Sequence, residues 1–344
     1  MASYSFVAMG NPLLDIQVRN GEALLQKYEL KANDAILVEG KQKEIYDDIK
    51  TNYDVVYVAG GAAQNAARAA QYVLPDNSTA YLGAVGEDDL ADQLRAANDK
   101  EGLKSFYQVI PKGGEPTGAC AVVITGHNRS LATLLGAAEK FTPSHLEESN
   151  VKQLIEGAKF FYLGGFFLTH GIESATKLAS YASEHNKMFA MNLSAPFIPQ
   201  FFKSQVDTML PLVDVLFGNE SEAEAYAASH DWNTKDIAEI ASKLAALPKK
   251  NTASPRLVVI TQGASSTIVA TPDAEPKVFP VTPMKDEDIV DTNGAGDAFA
   301  GAFCGALLQG KDIDTCVDVA HQLGQICVAS SGPTFKWPKV QLIK

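Results

Sequence analysis

The stretch Asp291-Thr292-Asn293-Gly294-Ala295-Gly296-Asp297 is followed by the small, apolar run Ala298-Phe299-Ala300-Gly301-Ala302-Phe303. That composition predicts a helix over 294–308, capped by Thr292 or Asn293, whose first turn contains two glycines. The amides of Gly294, Ala295 and Gly296 would then face an anion, and a phosphate suits such a terminus. Asp297, one turn in, would lie beside that anion as a carboxylate able to take a proton from an attacking hydroxyl. A purely structural reading competes with this one: a capped helix start with glycines for tight packing.

Other chemistries find less support. The segment Gly305 to Asp312 has the glycine and lysine spacing of a P-loop, but Asp312 stands where a Ser or Thr would bind Mg²⁺. It also follows a helix rather than a strand, and Gly310 suits a helix C-cap. Histidines at 127, 145, 170, 185, 230 and 321 show no metal-ligand spacing, so no protein-held metal is expected. A Gly-x-Ser-x-Gly elbow is missing, and Gly294-Ala295-Gly296 runs into Asp297-Ala298-Phe299 rather than completing a dinucleotide fingerprint.

The elements that must position these groups alternate. Val55–Val58, Phe160–Leu163, Met188–Met191, Val213–Phe217 and Leu257–Ile260 read as strands. Helical composition covers Ala62–Tyr72, Asp89–Asn98, Ile172–His185, Ser221–Ser229, Lys235–Leu247 and Gly294–Leu308. Such alternation predicts an α/β fold with a mainly parallel sheet flanked by helices. Ile16–Val38 and Thr117–Leu135 break the rhythm. In the second, Ala121–Ile124 and Leu131–Leu134 flank Gly126-His127-Asn128-Arg129 as a β-hairpin would. These regions predict a small β-rich lid, discontinuous over approximately 16–58 and 117–138, inserted into the larger domain. Ligands of open α/β sheets bind beyond the carboxyl ends of the strands, which singles out Asn11, Asp15, Gly60, Gly61, Asn192, Asn219, Thr261 and Gly263.

At 344 residues the chain is long enough for one large domain with a smaller appendage. Its net charge of −12 argues against a footprint for nucleic acid or an anionic membrane. The stretch from Met1 to Met9 lacks the basic start and apolar run of a signal peptide, so a cytoplasmic protein is expected. Cys120, Cys304, Cys316 and Cys327 share no Cys-x-x-Cys spacing and are expected as free thiols.

The motif ending in Asp291-Thr292-Asn293-Gly294-Ala295-Gly296-Asp297 resembles the second signature of the ribokinase-like carbohydrate and nucleoside kinases. Gly60-Gly61 with Asn65 is similar to that family's substrate-binding segment, and Asn219-Glu220-Ser221-Glu222 to its Asn-x-x-Glu motif. Gly10 to Asp15, Asn128 to Leu131, Gly165 to Thr169 and Asn192 to Phe197 resemble the branch that acts on adenosine. The resemblance covers almost the whole chain. It implies a ribokinase-like fold over 1–344, MgATP as phosphate donor, adenosine as acceptor and AMP as product. It also implies a monomer in the cytoplasm, with the nucleus a second possible compartment.

Carried over by residue, the resemblance makes Asp297 the base for the ribose 5′-hydroxyl and Gly294, Ala295 and Gly296 the anion hole. Arg129 would reach the phosphates from the lid; otherwise it is a solvated hairpin charge. Asn11, Asp15, Gly60, Gly61 and Asn65 would hold the nucleoside, with Asp15, Gly61 and Asn65 reading the ribose hydroxyls. Cys120, Leu131, Phe167 and Phe197 would form the purine slot; read without the resemblance they are core residues. Asn219 and Glu222 would organise Mg²⁺ through its waters, with no direct protein ligand, unless Glu222 serves only the helix dipole. Thr261, Gly263, Asn293 and His321 would approach ATP. Two departures stand out: Ala62 follows the glycines where many relatives carry a hydroxyl residue, and Ser330-Ser331 lack the expected basic residues before Gly332. The alternatives are another sugar or nucleoside kinase of the family, or a nucleoside-binding protein without catalysis.

Overall fold

The computed structural model describes residues 4–32, 35–126 and 128–343. His127, at the expected hairpin turn, and the first three residues lie outside them. Fourteen strands are described: β1 (Phe6–Met9), β2 (Leu13–Arg19), β3 (Ala35–Leu37), β4 (Val55–Gly60), β5 (Thr79–Gly86), β6 (Leu103–Ile110), β7 (Gly118–Thr125), β8 (Asn128–Leu134), β9 (Phe160–Gly164), β10 (Met188–Asn192), β11 (Val215–Asn219), β12 (Leu257–Thr261), β13 (Thr267–Ala270) and β14 (Lys277–Phe279).

Nine of them build one sheet in the order β14-β13-β12-β11-β10-β9-β1-β5-β6. Every pairing from β12 to β6 is parallel, and β13 and β14 add an antiparallel edge. Helices cover both faces, so the central strands are apolar throughout rather than alternating. In β1 all four residues are buried: Phe6 and Ala8 join Phe160 and Tyr162 on one face, Val7 and Met9 join Phe161 and Leu163 on the other. β5, Thr79–Gly86, is buried at every position and carries no periodic signal, which explains why pattern alone does not mark it.

The remaining strands form a smaller sheet, β3-β8-β7-β2-β4. The expected hairpin is present as β7 against β8, with Thr125 opposite Asn128. β4, grouped by composition with the parallel strands, instead runs antiparallel to β2 on the edge of this sheet. Its faces are unlike. Ile16, Val18, Ala119, Ala121, Val123 and Ala132 pack with the short helices Glu22–Lys27 and Ile45–Asn52. The alternate residues, among them Asp15, Gln17, Cys120, Arg129 and Leu131, turn to the other side, as the two-residue period of a strand requires.

One helix pair sets the geometry of the site. The Ala62–Val73 helix crosses the Ala295–Leu308 helix through Ala66, Ala69 and Gly301, all buried. A Cβ on Gly301 would overlap the Ala66 carbonyl oxygen and crowd the Ala69 methyl. Backbone meets side-chain-free backbone there, which is possible only with the smallest residues. The P-loop-like segment lies at the far end of the same helix: Gly305 is inside it, and Gly310 follows its last turn, donating to Leu307 O at 2.9 Å.

Gly301→Ala should therefore force the two helices apart and cost about 1–3 kcal/mol of stability, read as a lower urea midpoint. Gly157→Ala is the control: a Cβ there meets nothing within 4 Å, and the midpoint should hold.

Candidate active site

β1 and β9 to β12 end along one rim of the large sheet. Gly164 pairs with Asn192, Asn192 with Phe217, and Asn219 with Thr261. Beneath this rim the Ala295–Leu308 helix begins. Its N-cap is Gly294, left-handed at φ 79°, rather than Thr292 or Asn293, and no side chain caps it. Only glycine takes that conformation without cost. Ala298 N–H closes on Gly294 O at 2.8 Å, the first bond of the helix, while among the amides before it Ala295 N–H donates to Thr292 O at 3.3 Å. Asn293 turns inward instead, its N–H donating to Asp291 Oδ1 at 2.9 Å.

Asp297 stands in this first turn, half-buried, and accepts from Asn65 Nδ2 at 3.0 Å. Desolvation pushes its carboxyl up to about 7, against the hydrogen bond from Asn65 and the charge of Arg68. Asp15 is buried on β2 and is likewise pushed up to about 7 by desolvation, with Arg68 opposing and Asp297 and Asp291 adding to the rise. Gly60 and Gly61 give these groups room. A Cβ on Gly60 would overlap the Asp15 carboxylate, and Gly61, at φ 89°, brings its Cα against the Asn11 carbonyl oxygen. Asn65 N–H donates to Gly61 O at 2.9 Å, which starts the Ala62–Val73 helix directly after the turn.

Asn11 supplies an open donor. His170 Nε2 and Asn11 Oδ1 are 2.9 Å apart; burial pushes His170 down to about 4, so the ring is neutral and donates. The Asn11 amide nitrogen, buried, finds no protein partner among the described residues.

The small sheet lies over this rim. Arg129 on β8 forms an ion pair with the buried carboxylate of Asp291, whose Oδ2 also accepts from Gly332 N at 2.6 Å. Arg19 reaches Ser331 Oγ at 3.5 Å. Cys120 and Leu131 pack on the face that carries Asp15 and Arg129, and burial pushes the Cys120 thiol well up.

One residue expected to line a purine slot lies elsewhere. Phe167 is 1% exposed, edge-on to Phe141 at 5.6 Å and to His170 at 4.9 Å. It belongs to the core. The ring beside Phe197 is the part-exposed Phe166, at 5.9 Å.

On the far side, Asn219 and Glu222 form a capping box: Glu222 N donates to Asn219 Oδ1 at 2.8 Å and Asn219 N to Glu222 Oε2 at 3.0 Å. Burial pushes Glu222 up to about 7, and none of the described lysines or arginines pairs with it. Thr261 ends β12 beside Asn219, and Gly263 follows in open space. His321 bonds Thr267 Oγ1 at 2.8 Å and tilts against Phe299 at 5.5 Å; burial lowers its pKa.

Sequence reasoning missed Arg68, His170 and Phe166. Arg68 had a visible signal, as the only cation in an alanine-rich helix one turn from Asn65. His170 had none, because its partner Asn11 is 159 residues away.

A helix start open to an anion, a carboxylate poised to titrate near neutrality and a cradle of sugar-sized polar groups define a small-molecule kinase of the ribokinase-like class. A model of the pfkB family carbohydrate kinases matches residues 23–340, and the chain belongs to that family. It is 54% identical over 347 residues, the full length of both chains, to the adenosine kinase of Schizophyllum commune. It is 48% identical over 343 residues, 99% of both chains, to that of Schizosaccharomyces pombe. Among solved structures, Anopheles gambiae adenosine kinase in complex with P1,P4-di(adenosine-5) tetraphosphate aligns with a TM-score of 0.91 and 40% identity, covering 96% of this chain and 99% of that one. Schistosoma mansoni adenosine kinase in complex with 2-fluoroadenosine aligns with a TM-score of 0.92 and 34% identity, covering 96% and 97%.

The raised carboxyls predict a stability profile. Asp297, Asp15 and Glu222 keep their protons to about 7 when folded, against ordinary values of 3.8, 3.8 and 4.5 for the exposed groups of the unfolded chain. Between those limits the folded chain binds more protons than the unfolded one, so their contribution to stability falls as pH rises through the window. Asp297→Asn should raise the thermal midpoint of the ligand-free protein at about pH 8, by at least about 2 °C, with a smaller gain at about pH 5.

Proposed function

We propose that this chain transfers the γ-phosphoryl group of ATP to the 5′-hydroxyl of adenosine, giving AMP and ADP. The observation that carries the reading is the 3.0 Å bond from Asn65 to Asp297, which sets a sugar-reading amide against the carboxylate at an anion-facing helix start. The adenosine kinases of Schizophyllum commune and Schizosaccharomyces pombe, similar over nearly the whole chain, support adenosine as the acceptor.

In this reading Asp297 accepts the proton of the 5′-hydroxyl as the oxygen attacks phosphorus, and a carboxyl titrating near 7 matches that task at neutral pH. The amides of Gly294, Ala295 and Gly296 face the charge on the transferred group. Asp15, Gly61 and Asn65 hold the ribose hydroxyls, and the Asn11 amide donates to the nucleoside. Leu131, Cys120 and Phe197, with Phe166, flank the purine.

Glu222 is a buried carboxylate without a described cationic partner, and only its Oε2 is used by the capping box, so with Asn219 it fits the hydration shell of a magnesium ion. Such an ion, bound with ATP, neutralises phosphate charge. Thr261, Gly263, Asn293 and His321 lie on the ATP side.

Residues 16–58 and 117–138 act as a lid in this proposal. Arg129 exchanges its carboxylate partner Asp291 for phosphate when ATP enters, which a permanently charged guanidinium can do. The protein acts as a monomer in this reading, and four buried free thiols suit a reducing cytoplasm.

With MgATP, adenosine should turn over in preference to inosine, guanosine, cytidine, ribose and fructose. Asp297→Asn should lower that turnover on the order of 10²–10⁴-fold, and Asp15→Ala should raise the KM for adenosine about tenfold or more. Preference for a free sugar would overturn the purine slot, and full activity of Asp297→Asn would remove the base.

A further inference from the structure

Arg68 is 2% exposed and sits one turn after Asn65 in the Ala62–Val73 helix. One nitrogen, Nη2, donates to three oxygens: Ala59 O at 2.9 Å, Asn65 Oδ1 at 2.9 Å and Pro333 O at 3.0 Å. Its Nε lies 3.6 Å from the Glu101 carboxylate. These contacts tie together the strand end before Gly60-Gly61, the sugar-facing amide and the loop that closes over Gly294. Pro333 is the residue a Cβ on Gly294 would strike, at 2.6 Å.

The bond to Asn65 has a directional consequence. An amide whose oxygen is held by a guanidinium must present its nitrogen elsewhere, and that nitrogen is the one on Asp297 at 3.0 Å. A flipped amide would set oxygen against carboxylate. Arg68 therefore fixes the face that Asn65 shows to the base and to the sugar.

We propose that Arg68 is a positioning residue for phosphoryl transfer, orienting Asn65 and supplying the positive charge that favours the ionised forms of Asp297 and Asp15. The inference rests on the adenosine-kinase reading above. Desolvation pushes both carboxyls up, and Arg68 is the cation that opposes it at each. The other titratable groups that face the pair are acids: Asp291, Tyr81 on β5, Tyr162 on β9, Glu222, Cys120 on β7 and Cys327 on the Ile313–Val328 helix. Glu101, on the far side of the guanidinium, is the counter-charge that tempers it.

The sign follows. Removing Arg68 favours the protonated acids, so the acid limb of kcat/KM moves to higher pH. Removing the Glu101 charge leaves Arg68 less compensated, and the limb moves to lower pH.

The test is the pH profile of ADP formation from MgATP and adenosine by the full chain. Arg68→Met should lower kcat/KM at about pH 6.5 at least tenfold and recover most of it at about pH 8.5. Arg68→Lys keeps the charge without the planar guanidinium nitrogen that reaches two backbone carbonyls and the Asn65 amide oxygen, so it should leave the limb near the parent's and raise the KM for adenosine several-fold. Glu101→Gln, away from the cleft, should shift the limb downward, and it keeps the inference testable if Arg68→Met does not fold. A limb that stays put in Glu101→Gln, or a folded Arg68→Met whose activity falls equally at all pH, overturns the proposal. Absence of adenosine turnover in the unsubstituted chain would instead overturn the functional reading.

Discussion

The site depends on how closely two helices approach. The Ala62–Val73 helix brings Asn65, and the Ala295–Leu308 helix brings Asp297. Neither residue has a role alone; they meet because Ala66 and Ala69 lie against Gly301, where a single Cβ would overlap a carbonyl oxygen. Interiors are packed as tightly as organic crystals, so displacement at that crossing is transmitted along the helix to its first turn. A hydrogen bond of 3.0 Å at the end of such a lever has little tolerance.

That contact is made at an electrostatic cost. Asp15, Asp297 and Glu222 all carry raised carboxyls because burial strips them of water, and at Asp15 and Glu222 neighbouring carboxylates add to the rise. The same burial that weakens the ligand-free protein sets the affinity of Asp297 for a proton near neutrality, where the proposed base would have to work. Arg68 and Arg129 divide the compensation. Arg68 is locked by carbonyls and an amide, while Arg129 stands on a strand of the smaller sheet and pairs with Asp291 across the cleft.

The smaller sheet works through the two-residue period of its strands. One face is filled by its own short helices, and the other carries Asp15, Gln17, Arg19, Cys120, Arg129 and Leu131 toward the large domain. A shift of one residue in register would bury the functional set and expose the apolar one. The positions of Asp15 opposite Cys120 on β7 and of Gly60 opposite Leu13 are therefore fixed by the packing of Ile16 and Val18 on the opposite, apolar face.

Much of this was legible in the sequence. Alternating apolar runs marked the parallel sheet, since strands buried on both faces must be apolar throughout. The hairpin around Gly126 and the glycine-rich helix start at Gly294 were legible because turn chemistry is local. β5 and β6 were not singled out, and β4 read by composition like the parallel strands although it falls within the expected lid span of 16–58, because which sheet a strand joins is decided by distant partners. The capping of the 294 helix was misread for a local reason: a left-handed glycine replaced the expected side-chain cap. Phe166 and Phe167 are adjacent and alike in the sequence, and only packing separates the core ring from the one beside Phe197. His170 and Arg68 gained their roles from residues 159 and 265 positions away, Asn11 and Pro333. The sequence by itself determined the class of chemistry, because an anion-facing helix start and a carboxylate one turn in need only local order. Which side chains share one cleft, and what charge each holds there, was decided by tertiary structure, because desolvation and long-range contacts exist only once the chain has closed.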